Sequence, residues 1–243
     1  MSAFWRVFRR HWRQSVAHYG LRRTARETLS ALGRALLELT PARRAARYGD
    51  LDYDLEQSVD TTQAHVSFRT QLKAALAGNL YFASDPFLFE QVMQALPIRF
   101  QDFSFIDLGS GKGRALLMAS PYGFKRIIGV EFMPELHHAA EENIRKFVAG
   151  HKPSAQMQSL CMDALDFAFP AGPLVVYLFN PFAEPGFAAV LRNLRQSWQR
   201  NPRPVYLAYR YVEFERLLAE SDWLEKLSGT EQWAVYKVSG DRA

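Results

Sequence analysis

Three glycines within five positions are the clearest candidates for chemistry in this sequence. They are Gly109, Gly111 and Gly113 in the segment FIDLGSGKGRALL, residues 105–117, which runs from an apolar strand-like stretch into a helix-like pattern. Glycine permits positive φ and lets backbone amides approach a ligand where a Cβ atom would collide. In parallel α/β sheets, ligands bind beyond the carboxyl ends of the strands, at such a turn. The segment therefore predicts a ligand-binding turn.

The spacing of these glycines excludes two common nucleotide loops. A dinucleotide fingerprint reads G-x-G-x-x-G and a phosphate loop reads G-x-x-x-x-G-K-[ST], whereas this turn reads D-L-G-S-G-K-G from Asp107 to Gly113. Because Lys112 precedes Gly113, it cannot serve as a phosphate-loop lysine. A second acid, Glu131, ends the next strand-like run, where it suits the hydroxyls of a ribose. This position favours a nucleoside ligand without separating NAD from other nucleosides.

The pattern D-x-G-x-G-x-G closely resembles the first motif of class I S-adenosylmethionine-dependent methyltransferases, and the resemblance spans residues 80–239. In that family the acid at the position of Asp107 helps to fix the methionine portion of the cofactor, and the acid at Glu131 accepts hydrogen bonds from both ribose hydroxyls. Asp163 would take the adenine amino group, with Met162 beside the ring. On its own, Asp163 also reads as the N-cap of the ALDF segment. The resemblance implies S-adenosyl-L-methionine as cofactor, bound by Asp107, Gly109, Ser110, Gly111, Gly113, Glu131, Met162, Asp163 and Asn180.

A candidate acceptor motif follows the fourth predicted strand, where the sequence reads LFNPF, residues 178–182. It resembles a shortened form of the N-P-P-[YF] motif of methyltransferases that act on amide or exocyclic nitrogens. By this resemblance, Asn180 and Pro181 would accept the hydrogens of the acceptor nitrogen, and Phe182 would stack on a planar acceptor. One proline of the motif is missing, and an Asn-Pro turn at a strand end is the structural alternative.

A second partial resemblance lies upstream, in YFASDPFLF, residues 81–89. It is similar to the loop ahead of the first motif in non-SET protein-lysine methyltransferases, with Tyr81 and Ser84 at the matching positions and Ala83 in place of proline. This resemblance adds Tyr81 to the catalytic candidates Asn180, Pro181 and Phe182. The aromatic residues Tyr81, Phe82, Phe87 and Phe89 would form either a pocket edge or helix core.

Alternating helix and strand patterns must position these residues. Strands are predicted at 103–109, 125–131, 156–162, 174–180 and 204–210, and a terminal hairpin at 223–239. Helices are predicted at 63–77, 86–96, 134–148, 185–200 and 211–220 and through GRALLMAS. The expected fold is α/β, a three-layer Rossmann-like arrangement with a seven-stranded, mostly parallel sheet and a terminal antiparallel hairpin. Residues 1–60 form a basic helical extension with an acidic, solvated linker at 47–62, and residues 61–243 form the methyltransferase domain.

The positive charge of the chain is concentrated in a basic arm, residues 1–40. Residues 1–49 hold eleven arginines and two acids, whereas the remainder holds 19 basic and 23 acidic residues. The arm reads as two amphipathic helices, the first with aromatic residues on one face. Three roles stay open for it: a cap packed on the body, a peripheral membrane contact, and a nucleic-acid contact.

Other features narrow the class of protein. The single cysteine, Cys161, excludes an internal disulfide and every multi-cysteine zinc pattern. The adjacent His137 and His138 do not share a helix face, so no metal is expected. No transmembrane span or secretory signal is recognisable, and a cytoplasmic location, peripheral to a membrane if the arm binds one, is expected. The predicted function is methyl transfer to a protein nitrogen, of lysine or an amide. The alternatives are a lipid or small-molecule methyltransferase at a membrane surface and a non-catalytic cofactor-binding scaffold.

Overall fold

A seven-stranded sheet organises the chain. The computed structural model describes residues 3–38, 51–62, 66–76, 81–153, 155–179 and 182–240. The strands are β1 (Ser104–Leu108), β2 (Arg126–Glu131), β3 (Gln156–Cys161), β4 (Leu174–Phe179), β5 (Val205–Arg210), β6 (Leu224–Gly229) and β7 (Trp233–Val238). Their order is β3-β2-β1-β4-β5-β7-β6. β1 to β5 pair in parallel, whereas β7 runs antiparallel to both β5 and β6. The predicted fold class is therefore confirmed.

Helices cover both faces of this sheet. They are α1 (Ala3–Tyr19), α2 (Leu21–Glu38), α3 (Leu51–Gln57), α4 (Phe68–Leu76), α5 (Pro86–Gln94), α6 (Arg114–Ala119), α7 (Pro134–His151), α8 (Glu184–Arg200) and α9 (Glu215–Ala219). Alternate residues of the central strands point to opposite faces. Ile106 and Leu108 of β1 pack in one core cluster with α8, and Phe105 packs in the other with α5, α6 and α7. The strand order reverses between β1 and β4, so a crevice opens at their carboxyl ends.

Two predicted helices are shorter in the structure. The helix predicted at 63–77 is α4, Phe68–Leu76, and residues 63–65 and 77–80 lie outside the described residues. The helix predicted at 211–220 is α9, Glu215–Ala219, because Tyr211 has a φ of 60° and cannot continue a right-handed helix. The chain therefore makes an irregular turn directly after β5.

The helices of the basic arm pack on the body. Phe4 of α1 is buried in a small cluster with Tyr81, Met133 and Leu136. The opposite face of α1 carries exposed side chains, among them Arg6, Arg9 and Arg13. The aromatic stripe that the sequence shows is thus mostly engaged with the protein itself, and Trp5 is its exposed member at 47%. No helix among the described residues combines the length and apolar character that crossing a membrane requires.

The acidic segment at 47–62 was predicted to be a solvated linker, and this prediction was wrong for Asp54, Thr61 and Thr62, which are buried, whereas Asp52, Leu55, Glu56 and Ser58 are exposed. Asp54 is buried and accepts hydrogen bonds from the backbone amides of Thr61 and Thr62, at 2.8 and 2.7 Å. It also forms an ion pair with Arg114, which is itself only 1% exposed. A buried carboxylate needs such partners to remain charged. The segment is therefore held against the start of α6, directly beside the glycine turn.

Candidate functional site

A cavity of about 600 Å³ lies in the crevice at the carboxyl ends of the strands, and we call it the strand-end cavity. Its volume is typical of a small-molecule or cofactor site. Most of the described residues predicted from the sequence line it, namely Tyr81, Asp107, Gly109, Ser110, Glu131, Met162, Asp163 and Phe182. Gly111 and Gly113 belong to the same turn without lining the cavity, and Asn180 and Pro181 lie outside the described residues. The structure therefore gathers residues that are up to about a hundred positions apart in the sequence.

The glycine turn has the backbone conformation that its composition predicts. Gly109, Gly111 and Gly113 have φ values of 84°, 54° and 88°. At Gly111 a second constraint applies, since a Cβ atom there would stand 2.2 Å from Cε2 of Tyr81. The hydroxyl of Tyr81 donates a 2.6 Å hydrogen bond to the carbonyl oxygen of Thr61, which fixes the ring. Tyr81 therefore closes over the turn, and only glycine fits beneath it.

Charged residues beside the glycines tie the turn to the rest of the protein. Lys112 is 4% exposed, and its Nζ lies 2.6 Å from Oδ1 of Asp60. Arg114 donates from Nε to Oγ1 of Thr61 at 2.6 Å, in addition to its ion pair with Asp54. Sequence reasoning excluded Lys112 as a phosphate ligand but did not find its actual partner. Both side chains hold the segment 54–62 in place, and Arg114 also lines the strand-end cavity.

Two carboxyl groups lie close together in the floor of the strand-end cavity. Glu131 accepts hydrogen bonds from the backbone amides of Gly111 (2.9 Å) and Met133 (2.8 Å). Burial raises the pKa of Glu131 to about 7 despite these bonds. Burial, aided by the charge of Glu131, raises the pKa of Asp107 to about 8. Carboxyl groups kept this far from water are stabilised in their charged form by a cationic or hydrogen-bond-donating ligand.

A buried hydroxyl group lies beside the glycine turn. Ser110 is 6% exposed, lines the strand-end cavity, and its Oγ has no hydrogen-bond partner among the described residues. A buried hydroxyl without a partner is unfavourable unless a ligand or water completes it. The Oγ of Ser110 packs against Gly129, where an added Cβ would stand 2.6 Å from it. S-adenosylmethionine, which the sequence resemblance implies, offers polar groups for the two carboxyl groups of Asp107 and Glu131. The residues present therefore fit that cofactor.

Asp163 is engaged by the basic arm. Its Oδ1 and Oδ2 both lie 3.3 Å from Nε2 of His11, and Oδ2 lies 3.3 Å from Nη1 of Arg10. Burial alone would raise the pKa of Asp163, but the hydrogen bond and charge of His11, with the charge of Arg10, hold this pKa below its usual value. The side chain also caps the short helix at Ala164–Asp166 by accepting from the amide of Leu165. The N-cap alternative is thus present together with the cavity position.

Helix α1 forms a wall of the strand-end cavity, a role that the sequence did not reveal. Val7, Phe8 and His11 line it. The His11 ring stacks on Phe132 with centroids 6.4 Å apart and planes 21° apart. Phe132 directly follows Glu131 and lines the same cavity. The aromatic residues along one face of α1 indicated that this helix packs against an apolar surface. Nothing in the sequence identified that surface as the cavity.

Of the aromatic residues in the segment 81–89, some line the strand-end cavity and others do not. Tyr81 and Phe82 line the strand-end cavity, and Phe82 is 48% exposed. Phe89 is buried in the core cluster beneath α5, and Phe87 is exposed outside the cavity. Ser84 accepts a 3.2 Å hydrogen bond from the hydroxyl of Tyr177. Both alternatives offered by the sequence therefore hold, each for different members of the segment.

The carboxyl ends of β4 and β5 supply the remaining wall. Phe179 and Phe182 flank the undescribed residues 180 and 181 and line the cavity, with Phe182 only 7% exposed. Tyr211 and Glu213 line it from the turn after β5. Sequence analysis missed both, although their place after a parallel strand was a usable signal. Among the described residues, no group of three or more His, Cys, Asp or Glu side chains could hold a metal ion.

Several solved structures similar to this chain are named as methyltransferases. An RNA methyltransferase from Salinibacter ruber, in complex with S-adenosyl-L-homocysteine, is 19% identical, with 64% of this chain and 92% of that chain covered and a TM-score of 0.42. A TehB-like SAM-dependent methyltransferase from Corynebacterium glutamicum is 16% identical over 68% and 92% of the chains, with a TM-score of 0.45. A magnesium protoporphyrin IX methyltransferase from Synechocystis is 11% identical over 62% and 74%, with a TM-score of 0.42.

No protein-family model matches the chain, and no curated protein matches it in sequence. The names of the similar structures include an RNA and a porphyrin as acceptors. They therefore identify no acceptor for this chain, and the fold itself is established by the strand order of the sheet.

Proposed function

We propose that this protein is an S-adenosylmethionine-dependent methyltransferase that methylates a nitrogen atom, with a protein as substrate. One observation carries the cofactor assignment: the glycine turn, Glu131 and Asp163 lie at the carboxyl ends of three adjacent strands, beside one cavity. Two carboxylates that accept hydrogen bonds, next to a glycine turn, suit a nucleoside ligand that also carries a charged amino-acid portion. The cofactor would supply a methyl group on a sulfonium, whose leaving group is already good.

The residues of this chain would bind the cofactor and orient it toward the methyl acceptor. Glu131 would accept hydrogen bonds from the ribose hydroxyls, and Asp163 would accept one from the adenine amino group. Asp107 would stabilise the cationic end of the cofactor. Alignment of an acceptor lone pair with the methyl carbon is the main requirement of such a displacement, and a general acid is not needed.

The carboxyl end of β4 supplies the residues that are proposed to contact the methyl acceptor. Phe182 and Tyr81 both line the strand-end cavity, which supports the acceptor-side roles that the two partial resemblances suggest for them, although the missing proline shifts Phe182 by one residue. We propose that Asn180 and Pro181 accept the hydrogens of the acceptor nitrogen. Tyr81, tied to Thr61, would then close the cavity beside the cofactor and exclude water.

Labelled methyl transfer tests this function. The full chain is incubated with methyl-labelled S-adenosylmethionine and a cell lysate, and the label is followed after protease, ribonuclease or organic extraction. We expect protease-sensitive label that survives base, as N-methyl groups do and methyl esters do not. Glu131→Gln should weaken cofactor binding by about tenfold or more, because a charged hydrogen-bond acceptor is lost. The matched control is Glu142→Gln on the exposed face of α7.

Label that is removed only by ribonuclease would reject the protein substrate, while cofactor binding without any transfer would favour the scaffold alternative. A second candidate, a lipid methyltransferase at a membrane surface, is favoured by the exposed Trp5 beside the exposed arginines of α1. Flotation of the full chain with anionic vesicles, compared with Arg6→Gln/Arg9→Gln/Arg13→Gln, tests that candidate. Equal flotation of both proteins would reject electrostatic membrane binding through the arm.

A further inference from the structure

Helix α1 of the basic arm is fastened to the body at both ends and in the middle. Near its start, Phe4 is buried in the cluster that it shares with the body. At its end, the hydroxyl of Tyr19 donates a 2.8 Å hydrogen bond to the first residue of α8. Between these points, Arg10 and His11 contact Asp163, which lines the strand-end cavity. The helix therefore lies over the part of the cavity to which the proposed function assigns the adenine.

The carboxylate of Asp163 already has a full set of contacts. A carboxylate offers about four lone-pair sites, two on each oxygen. Oδ1 is contacted by the amide of Leu165 at 3.0 Å and by Nε2 of His11 at 3.3 Å. Oδ2 is contacted by Nε2 of His11 and by Nη1 of Arg10, both at 3.3 Å. A further donor can therefore bond to Asp163 only if one of these four contacts is withdrawn.

The contacts that come from the arm are the ones that can be withdrawn. The amide of Leu165 belongs to the short helix that Asp163 caps, so the local backbone fixes this donor. Arg10 has a second carboxylate within reach, because its Nη1 lies 2.7 Å from both oxygens of Asp166. It can give up the longer contact to Asp163 and keep its ion pair. The contacts of His11 lie just beyond the usual range of N–H to oxygen hydrogen bonds.

An adenine amino group would need the same oxygen atoms. It is a neutral N–H donor, whereas Arg10 is charged, and charge-assisted hydrogen bonds are the stronger kind. His11 also lines the cavity, stacked on Phe132, so it lies on the side of Asp163 that a ligand approaches. Contact of the arm with Asp163 and contact of an adenine with Asp163 are therefore alternatives, and the exchange uses part of the binding free energy of the cofactor.

We propose that α1 is an autoinhibitory latch: Arg10 and His11 occupy the carboxylate of Asp163 in the free protein, and S-adenosylmethionine displaces them when it binds. This inference rests on the proposed function, which assigns the adenine amino group to Asp163. Such a coupling acts in both directions, so anything that draws α1 away from Asp163 raises the affinity for the cofactor by the same factor. The basic arm thereby sets the affinity of the site that it borders.

Calorimetric titration of the full chain with two ligands tests the latch. The first ligand is S-adenosylhomocysteine, and the second is its 6-oxo analogue, in which an oxygen replaces the adenine amino group. The variants are Arg10→Gln and His11→Phe, of which the second keeps an aromatic ring beside Phe132 but removes the N–H donor. Arg9→Gln is the matched control, because Arg9 is an exposed arginine of the same helix and its substitution removes the same charge.

We expect each variant to bind S-adenosylhomocysteine about two- to fivefold more tightly, because a partly exposed charged contact no longer competes for Asp163. The affinity for the 6-oxo analogue should stay unchanged, since this ligand has no amino group to exchange, and Arg9→Gln should match the wild type. Weaker or unchanged binding of S-adenosylhomocysteine in both variants at wild-type unfolding temperature, or an equal gain for the analogue, would overturn the latch. Failure of every protein to bind S-adenosylhomocysteine would instead contradict the proposed function, and the latch with it.

Discussion

Substitution of Gly111 by alanine perturbs the glycine turn at its most constrained point. The added Cβ would approach Cε2 of Tyr81 to 2.2 Å and Cδ2 to 2.7 Å. The tyrosine ring cannot retreat without giving up the 2.6 Å hydrogen bond from its hydroxyl to Thr61. The backbone must also hold alanine at a φ of 54°, which L-residues with a Cβ rarely adopt.

The expected loss of stability is the sum of two costs. Left-handed backbone costs about 1–2 kcal/mol for a residue with a Cβ. Overpacking against a fixed ring costs about 1–3 kcal/mol more. Gly111→Ala should therefore lower the free energy of unfolding by about 2–5 kcal/mol, a large part of the stability of an ordinary domain. The fold can survive this loss, but the turn moves, so we also expect loss of cofactor binding.

Urea denaturation followed by circular dichroism measures this cost. The matched control is Gly150→Ala, where a Cβ meets nothing within 4 Å and helical alanine should stabilise by up to about 1 kcal/mol. In a Tyr81→Ala background, the Gly111 substitution should retain only its backbone cost, since the clash is gone. A loss below about 1 kcal/mol in the otherwise wild-type protein, or an equal loss in the Tyr81→Ala background, would refute the assigned steric role of Tyr81.

Three further predictions concern buried charges. Asp107→Asn should flatten the fall in unfolding temperature between pH 5 and 8, because native Asp107 keeps its proton to about pH 8 whereas the unfolded chain releases it near pH 4; parallel melting profiles would contradict this. Asp163→Asn should speed amide hydrogen exchange in α1, since Arg10 and His11 lose their anchor; unchanged protection would show that α1 is held by packing alone. Arg114→Met should cost about 3–5 kcal/mol in urea denaturation by leaving Asp54 buried without its cation; a loss below about 1 kcal/mol would mean that the backbone amides suffice.

The strands were predictable from the sequence because local pattern determines them. The strand predicted at 103–109 is observed at Ser104–Leu108, and the one at 125–131 at Arg126–Glu131. Apolar runs that are buried on both faces, bounded by glycine or a charged turn, leave few other conformations for these segments. The glycine turn and the acids at successive strand ends then follow from the topology.

The contacts of the arm and of segment 51–62 were not predictable in the same way. His11 and Asp163 are 152 positions apart, and Arg114 and Asp54 are 60 positions apart. Such pairings depend on how packed elements meet, which a one-dimensional pattern does not encode. The acidic composition of residues 50–54 indicated a solvent-exposed segment. The sequence did not show that Asp54 pairs with a buried cation, Arg114, which lies in another element. Tyr211 likewise lies outside the helix that was predicted to begin at it, because of a backbone conformation that residue type alone does not indicate.

Calorimetric titration of the full chain with S-adenosylmethionine, with NADH and ATP as controls, tests the central claim most directly. The proposal that the glycine turn, Glu131 and Asp163 form one cofactor site predicts saturable binding of S-adenosylmethionine alone, weakened by Glu131→Gln and unaffected by Glu142→Gln. Absence of S-adenosylmethionine binding, or equal binding of NADH, would contradict it.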